Sequence, residues 1–186
     1  MKIYLARHGQ TDWNNEKRFQ GHRDIPMNET GIRQMEELAR RIREKGITFT
    51  GIISSPLKRA RKSAEIIAEK TGYRGAIVID EDLIERDCGL LEGTVWKEGL
   101  DPDDPAYGLE SIPDLMTRAE RALGKYDFSD DEKILIVSHG AILSAVRTVL
   151  SDGRIEYFDR SVPVIQGNVL CCEKEDGKES VFHQLF

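Results

Sequence analysis

The sequence predicts a single α/β domain of three layers, with a mostly parallel sheet, helices on both faces and a C-terminal β-hairpin. Its length of 186 residues suits one domain. Strand-like and helix-like segments alternate along the chain, an order typical of parallel sheets that are covered on both faces. Near the end, the apolar runs Asn168–Glu173 and Ser180–Leu185 flank polar residues 175–178 and indicate a hairpin. We therefore treat residues 1–186 as one domain.

The first two predicted elements are a strand and a long amphipathic helix. The strand is the apolar run Ile3–Ala6. A helix over residues 29–44 follows, because Asn28 can cap its start and Gly46 can end it. The apolar residues of this helix recur at helical spacing, namely Ile32, Met35, Ala39 and Ile42.

The next strand–helix–strand unit is predicted from a serine–proline pair. Gly51–Ser54 is an apolar strand that ends at this pair. Ser55 suits the N-cap and Pro56 the first turn of a helix that runs to about Lys70. A third strand is predicted at Ala76–Ile79.

The last strand and helices of the parallel part follow a longer connection. Ser111 is predicted to precede a helix that runs to about Leu123. Ile134–Val137 is the most apolar strand of the chain, and Ala141–Leu150 is its most apolar helix.

Composition and charge exclude several classes of protein. Hydrophobic residues make up 39% of the chain and charged residues 32%, which is typical of a globular domain. No apolar run approaches the roughly 20 residues of a membrane span, and we find no signal peptide. The cysteines Cys88, Cys171 and Cys172 form neither a disulfide framework nor a metal-binding spacing. We therefore expect a cytoplasmic protein without a bound metal.

Charge is distributed unevenly along the chain. Residues 1–62 contain 14 Lys and Arg against 7 Asp and Glu, whereas the remainder contains 13 against 26. The basic first third could face nucleic acid or could line a site for a small anion. Because the whole chain carries a net charge of -6, a nucleic-acid partner is disfavoured. The expected partner is a small anion, and no feature of the sequence indicates the oligomeric state.

Chemically active side chains follow three of the predicted strands. In parallel sheets, ligands collect at the carboxyl ends of the strands. His8 and His139 each follow a strand there, Arg7 precedes His8, and Arg59 lies in the first turn of the helix after Gly51–Ser54. Each of them alone would be read as an ordinary turn or surface residue. Together they predict a phosphate site, because guanidinium groups match phosphate oxygens and neutral imidazole is a nucleophile.

Four blocks of sequence in a fixed order carry a resemblance to a known family. The first is LARHGQTDWN at residues 5–14, continued by RFQG, DIP and NETG between residues 18 and 31. The others are SSPLKRA at 54–60, LIE with GLLEG between 83 and 93, and VSHG at 137–140. These blocks resemble the histidine phosphatase superfamily, in its phosphoglycerate mutase-like branch. Gln10 stands where that family often has glutamate, outside the roles considered below.

The resemblance implies a role for each matching residue. His8 would be the nucleophile that becomes phosphohistidine, and Glu85 would protonate the leaving oxygen. The residues implied to hold the phosphoryl group or the substrate are Arg7, Arg59, His139, Asn14, Gln20 and Gly21. On composition alone Glu81, Asp82 or Asp87 could equally be the acid, and only the motif selects Glu85. Arginines, a histidine and main-chain donors can supply the positive charge, so we expect no cofactor.

The function predicted from these residues is hydrolysis of small phosphorylated metabolites through a phosphohistidine. One alternative is a phosphoglycerate mutase of the same family. A second alternative is a non-catalytic module that binds a phosphorylated ligand, which the joint presence of His8 and Glu85 disfavours. A short segment at about 92–126, where the family varies, could be a lid or an ordinary surface loop. Of the remaining histidines, His183 is expected to be structural, and a ligand contact stays open for His22.

Overall fold

Six strands form one sheet in the part of the chain that the computed structural model describes, residues 1–101, 104–126, 128, 131–174 and 178–186. In chain order the strands are β1 (Lys2–Arg7), β2 (Gly51–Ser54), β3 (Ile77–Ile79), β4 (Lys133–Ser138), β5 (Val169–Glu173) and β6 (Val181–Gln184). The α-helices are α1 (Asp12–Asn15), α2 (Glu29–Glu44), α3 (Lys58–Thr71), α4 (Ile112–Gly124) and α5 (Gly140–Leu150). Short 3₁₀ turns are Glu81–Leu83, Gly89–Leu91 and Pro105–Tyr107.

The strand order across the sheet is β3-β2-β4-β1-β5-β6. The first four strands of the chain run parallel, whereas β5 lies antiparallel to β1 and pairs with β6 as a hairpin. The predicted fold class is therefore confirmed. Residues 175–177 of the predicted hairpin turn lie outside the described residues. Within the described ranges, no helix is both long enough and apolar enough to cross a membrane.

Both faces of the sheet are buried because the side chains of the central strands alternate between two apolar clusters. On β1, Ile3 and Leu5 belong to the cluster that includes residues of α4 and α5. Tyr4 and Ala6 belong to the cluster that includes residues of α2 and α3. This period of two places one pair of helices on each face. The carboxyl ends of the four parallel strands lie together at one edge of the sheet.

Polar residues begin two of the long helices, as predicted. At the start of α2, Asn28 Oδ1 accepts a hydrogen bond from Gly31 N at 2.9 Å. At the start of α4, Ser111 Oγ accepts one from Asp114 N at 3.2 Å. These bonds satisfy N–H groups that have no partner within the helix.

The predicted start of α3 is wrong. Ser55 was expected to cap this helix and Pro56 to lie in its first turn, but α3 begins at Lys58 and its N-cap, Leu57, makes no side-chain bond. The Ser55 hydroxyl instead accepts a hydrogen bond from Leu57 N at 3.3 Å, in a serine turn that precedes the helix, and it also contacts Nε2 of His139 at 2.7 Å. Ser55 thus belongs to the site described below more than to the helix.

Arg147 on α5 is only 1% exposed and holds the irregular loop 155–164 in place. Its Nη1 and Nη2 donate hydrogen bonds to four main-chain oxygens of this loop, those of Glu156, Tyr157, Asp159 and Val162, at 2.6 to 3.2 Å. Charged donors make strong bonds in such a buried setting. One side chain therefore provides the hydrogen-bond donors for four main-chain oxygens of this loop.

Arg147→Met is expected to lower the free energy of unfolding by about 3 kcal/mol or more, because four carbonyls lose a charged donor. Urea denaturation followed by circular dichroism measures this loss. Arg40→Met on α2 is the control, since exposed Arg40 pairs only with the surface residues Glu37 and Glu44, and little change is expected there. Similar small losses in both variants would contradict a structural role for Arg147.

Candidate active site

The two predicted histidines meet because β1 and β4 are neighbouring parallel strands. Arg7 pairs with Ser138 in this register, so His8 and His139 leave the sheet side by side. Their ring centroids are 5.0 Å apart, with the ring planes inclined at 57°. His8 N also donates to the Ser138 main-chain oxygen at 2.9 Å. The sheet itself therefore sets the distance between the two imidazoles.

His8 is held in one tautomer. Its Nδ1 lies 2.7 Å from the main-chain oxygen of Gly9, and this contact requires Nδ1–H because a carbonyl only accepts. Nε2 therefore keeps its lone pair, as a nucleophile needs. The turn after the strand is tight, since a Cβ on Gly9 would collide with the main-chain oxygen of Gly31. Glycine is thus required directly after this histidine.

Both ring nitrogens of His139 are engaged by protein groups. Nδ1 accepts a hydrogen bond from Arg59 Nε at 3.2 Å, so the ring proton lies on Nε2 and is donated to Ser55 Oγ at 2.7 Å. The ring is completely buried. The sequence predicts that His139 holds the phosphoryl group, but in this geometry its donor is directed to Ser55. A direct contact with a phosphoryl oxygen would require exchange of the Ser55 bond.

Arg59 connects α3 to the loop on the substrate side. Besides its bond to His139, its Nη1 donates to the main-chain oxygen of Arg23 at 2.6 Å, and its Nη2 to that of Gly21 at 3.0 Å. Gly21 has φ +50°, and a Cβ there would collide with a carboxylate oxygen of Glu92. Arg59 and Gly21, which are both predicted site residues, are therefore joined by a hydrogen bond.

Two arginines make the site positive. Burial lowers the pKa of Arg59 to about 10, with the charges of Glu85 and Asp24 opposing the shift, so the group stays charged at neutral pH. Burial likewise lowers the pKa of Arg7, against the opposing charge of Glu85. Arg7 Nε is buried and has no hydrogen-bond partner among the described residues. Such a donor is satisfied when an acceptor enters the site.

Catalysis by neutral His8 is expected to persist at pH values below the ordinary histidine range. Burial, followed by the charges of Arg59 and Arg7, lowers the pKa of His8 well below about 6.5. The nucleophilic form is therefore retained as pH falls through about 6.5 and is lost only at the lowered pKa. As the pH falls, kcat/KM corrected for the ionisation of the substrate phosphate should show no limb centred near pH 6.5. An acidic limb centred near pH 6.5, with circular dichroism showing an intact fold, would contradict this.

Glu85 lies at the N-terminus of α5. One carboxylate oxygen, Oε1, accepts hydrogen bonds from Ala141 N at 3.1 Å, Ile142 N at 3.2 Å and Arg86 N at 2.9 Å. Free N–H groups at a helix start are a natural partner for an anion. His22, whose role stayed open, is exposed, and its Nε2 lies 2.8 Å from the Glu85 main-chain oxygen.

Arg118 on α4 positions the chain around Glu85, and no local feature of the sequence indicates this role. Its side chain forms an ion pair with Glu110 at 2.7 Å. The same guanidinium donates to the main-chain oxygens of Asp82, Ile84 and Glu85 at 2.6 to 3.2 Å. Because these contacts join residues more than 30 positions apart, only the folded chain reveals them.

The predicted substrate-side residues form a connected network beside His8. Asn14 Oδ1 accepts bonds from Thr11 N at 3.1 Å and from Gln166 Nε2 at 3.2 Å, which leaves its Nδ2 as the donor side. Thr11 Oγ1 donates to Gln20 Oε1 at 2.9 Å, and Gln166 Nε2 also contacts the His8 main-chain oxygen at 3.0 Å. The short helix α1, which the sequence analysis did not predict, presents Asn14. Four residues are too few for a helical periodicity to show.

A cavity of about 250 Å³ brings these groups together. Among the residues that line it are seven of the eight predicted site residues, namely Arg7, His8, Asn14, Gln20, Gly21, Arg59 and Glu85. His139 is not among its lining residues. Phe19, Leu109 and Tyr157 add an apolar part to the wall. The cavity thus combines a neutral imidazole, one carboxylate and four guanidinium groups, those of Arg7, Arg18, Arg59 and Arg86.

The predicted variable segment at about 92–126 divides into two parts. Residues 112–124 form α4, whose apolar face is packed in the core. A moving lid is therefore a prediction for residues 92–110 alone, where Leu109 lines the cavity. Residues 102–103 at the predicted tip lie outside the described residues.

Among the described residues, one group of potential metal ligands lies away from this cavity, on strands β5 and β6. The hairpin pairing brings ligand atoms of Cys171, Glu173 and His183 within 4.8 Å of one another. The Lys2 ammonium pairs with the Glu173 carboxylate at 2.8 Å, and burial raises the pKa of the Cys171 thiol to about 12. Both features oppose metal binding, so these residues are read as a sheet-edge contact.

The chain belongs to the histidine phosphatase superfamily (branch 1), whose family model matches residues 3–181. An uncharacterized phosphatase of Bacillus subtilis, PhoE, is 39% identical over 154 residues, 81% of this chain and 78% of that protein. Phosphoglycerate mutase-like protein 4 of Arabidopsis thaliana is 34% identical over 161 residues, 78% of this chain and 69% of that protein. A mycobacterial glucosyl-3-phosphoglycerate phosphatase shares the fold, with a TM-score of 0.80 and 22% identity over 98% of this chain and 96% of that one.

Proposed function

We propose that the protein is a phosphomonoesterase that hydrolyses small phosphorylated metabolites through a phosphohistidine at His8. The observation that carries the proposal is the Nδ1–H tautomer of His8, which leaves Nε2 as a nucleophile in a cavity with Arg7 and Arg59. A module that only binds a phosphorylated ligand would need the arginines but not this nucleophile. The phosphatase name of the Bacillus subtilis relative supports the same reading.

The proposed reaction has two steps. First, the arginines bind phosphoryl oxygens while His8 Nε2 forms a bond to phosphorus and the ester oxygen leaves with a proton from Glu85. The imidazolium that results keeps its Nδ1–H on the Gly9 carbonyl. In the second step Glu85 takes a proton from water, whose oxygen forms a bond to phosphorus as the P–N bond breaks. Inorganic phosphate leaves, and Glu85 is again protonated for the next turnover.

The charge of the segment over the site favours hydrolysis over a mutase. A mutase must also bind a carboxylate and exclude water from its phosphoenzyme. Between residues 92 and 110 the chain has one basic residue, Lys97. The acidic residues in the same segment are Glu92, Glu98, Asp101, Asp103, Asp104 and Glu110. This balance repels a polyanionic substrate, although salt screens the exposed charges.

A paired assay on one preparation tests the proposed function. We expect phosphate release from several monoesters to exceed interconversion of 2- and 3-phosphoglycerate, measured with and without bisphosphoglycerate. Mutase turnover well above phosphate release would establish the mutase instead. Tight binding of phosphorylated compounds with no release from any of them would establish the binding module.

A further inference from the structure

A second cavity of about 280 Å³ adjoins the one that contains His8. Arg7, Ala141 and Tyr157 line both cavities, so the two lie side by side at these residues. The second cavity lies between the start of α5 and the loop 155–164. None of the residues predicted from the sequence, apart from Arg7, faces it.

The position of Glu85 connects the second cavity to the leaving group. In the proposed function, Glu85 donates a proton to the ester oxygen, so the organic part of the substrate begins at this carboxylate. Glu85 Oε1 lies 3.1 Å from Ala141 N, and Ala141 lines both cavities. A leaving group that extends past Ala141 therefore enters the second cavity.

The wall of this cavity presents an aromatic pair. Tyr157 and Phe158 pack edge to face, with ring centroids 4.8 Å apart and planes at 82°. Phe158 is 61% exposed, while Pro163 and Val164 extend the apolar lining. Aromatic rings in this arrangement attract a further ring by stacking or edge contact.

The aromatic wall is held in place before any substrate binds. Arg147 donates hydrogen bonds to main-chain oxygens on both sides of Phe158, those of Tyr157 at 3.2 Å and Asp159 at 3.0 Å. Because the main chain of this wall is already fixed, little conformational entropy is lost when a ligand binds. Among the charged residues that line the cavity, Arg7, Arg147 and Arg160 outnumber Asp159, and guanidinium groups stack favourably on planar rings.

We propose that the second cavity binds an aromatic or heteroaromatic ring of the substrate's alcohol part. The inference rests on the proposed function and names its substrate class: phosphate monoesters of alcohols that carry a planar ring a few bonds from the ester oxygen. Phe158 is then a specificity-determining residue, and Arg147, which lines the same cavity, holds the main chain on both sides of Phe158.

The test compares three monoesters whose alcohols are similar in acidity: benzyl, cyclohexylmethyl and ethyl phosphate. For the unchanged protein, we expect kcat/KM for benzyl phosphate to exceed that for ethyl phosphate by roughly 10-fold or more, with cyclohexylmethyl phosphate between them. In Phe158→Ala the benzyl-to-ethyl ratio should fall towards one. Phe158→Leu, which keeps apolar volume, should bring the benzyl and cyclohexylmethyl values together. Val181→Ala, at an exposed apolar residue on β6 that lines neither cavity, should leave every ratio unchanged.

A binding measurement separates this inference from the proposed function. Benzylphosphonate and ethylphosphonate cannot be hydrolysed at their P–C bond, so calorimetry reports their affinities even if the chain releases no phosphate. Tighter binding of benzylphosphonate that Phe158→Ala removes would support the ring cavity whether or not turnover occurs. Equal affinities and equal kcat/KM for the benzyl and ethyl compounds would overturn it. Absence of phosphate release from every ester would overturn the proposed function alone.

Discussion

His8→Ala is expected to lower kcat for phosphate release by about 10³-fold or more, because no other group can form the proposed covalent intermediate. The readout is single-turnover phosphate release from a reactive aryl ester. His183→Ala is the matched control, since His183 is exposed on β6 at the far edge of the sheet, and its activity should be retained. Circular dichroism of both variants should match that of the unchanged protein.

The chemistry of the trapped intermediate gives a second readout for the same residue. A phosphoryl group on His8 Nε2 is a phosphoramidate, so the adduct should be lost in acid and survive in base. Two hydroxyls lie near the imidazoles, those of Ser55 and Ser138, and their phosphate esters would survive in acid. An acid-stable adduct on either serine, or near-full activity of His8→Ala, would contradict the assignment to His8.

The outline of the fold and the two histidines could be predicted because their signals are local. A short apolar run followed by His-Gly marks both the strand and its carboxyl end. The alternation of elements then makes β1 and β4 parallel, and the 5.0 Å between the ring centroids follows from their being neighbours. Even so, the sequence predicts only that both histidines lie at the same edge of the sheet, and not that their strands are neighbours.

The residues that hold the site in place could not be predicted, because their partners lie far away in the sequence. Gln166 contacts the main-chain oxygen of His8, 158 positions earlier. Arg118 and Arg147 each bind main-chain oxygens of a loop, a role that leaves no mark in a hydrophobic pattern. Ser55 shows the opposite failure: its local signal indicates a helix cap, but its hydroxyl accepts from Leu57 N in a turn before the helix and contacts His139 Nε2. Local propensity is overridden where a tertiary contact satisfies the same group.

Glu85→Gln is expected to slow alkyl phosphates by roughly 10²- to 10⁴-fold and aryl phosphates far less. An alkoxide is a poor leaving group and needs the proton that Glu85 supplies, whereas a nitrophenolate leaves without one. Glutamine keeps an oxygen that can accept from Ala141 N and Ile142 N, so the start of α5 should be preserved. The measurement is log kcat/KM against the acidity of the leaving alcohol, whose slope should steepen in the variant.

Two matched variants decide whether Glu85 is the acid or only a positioning residue. Glu81→Gln and Asp87→Asn remove two of the three neighbouring carboxylates that composition alone left open, and both should keep the slope of the unchanged protein. If Glu85→Gln slows alkyl and aryl esters equally, its carboxylate orders the start of α5 and does not donate a proton. A steepened slope in Asp87→Asn instead would move the acid to Asp87. The slope therefore reports proton donation itself, because a general loss of active-site geometry would lower kcat/KM for all the esters by a similar factor.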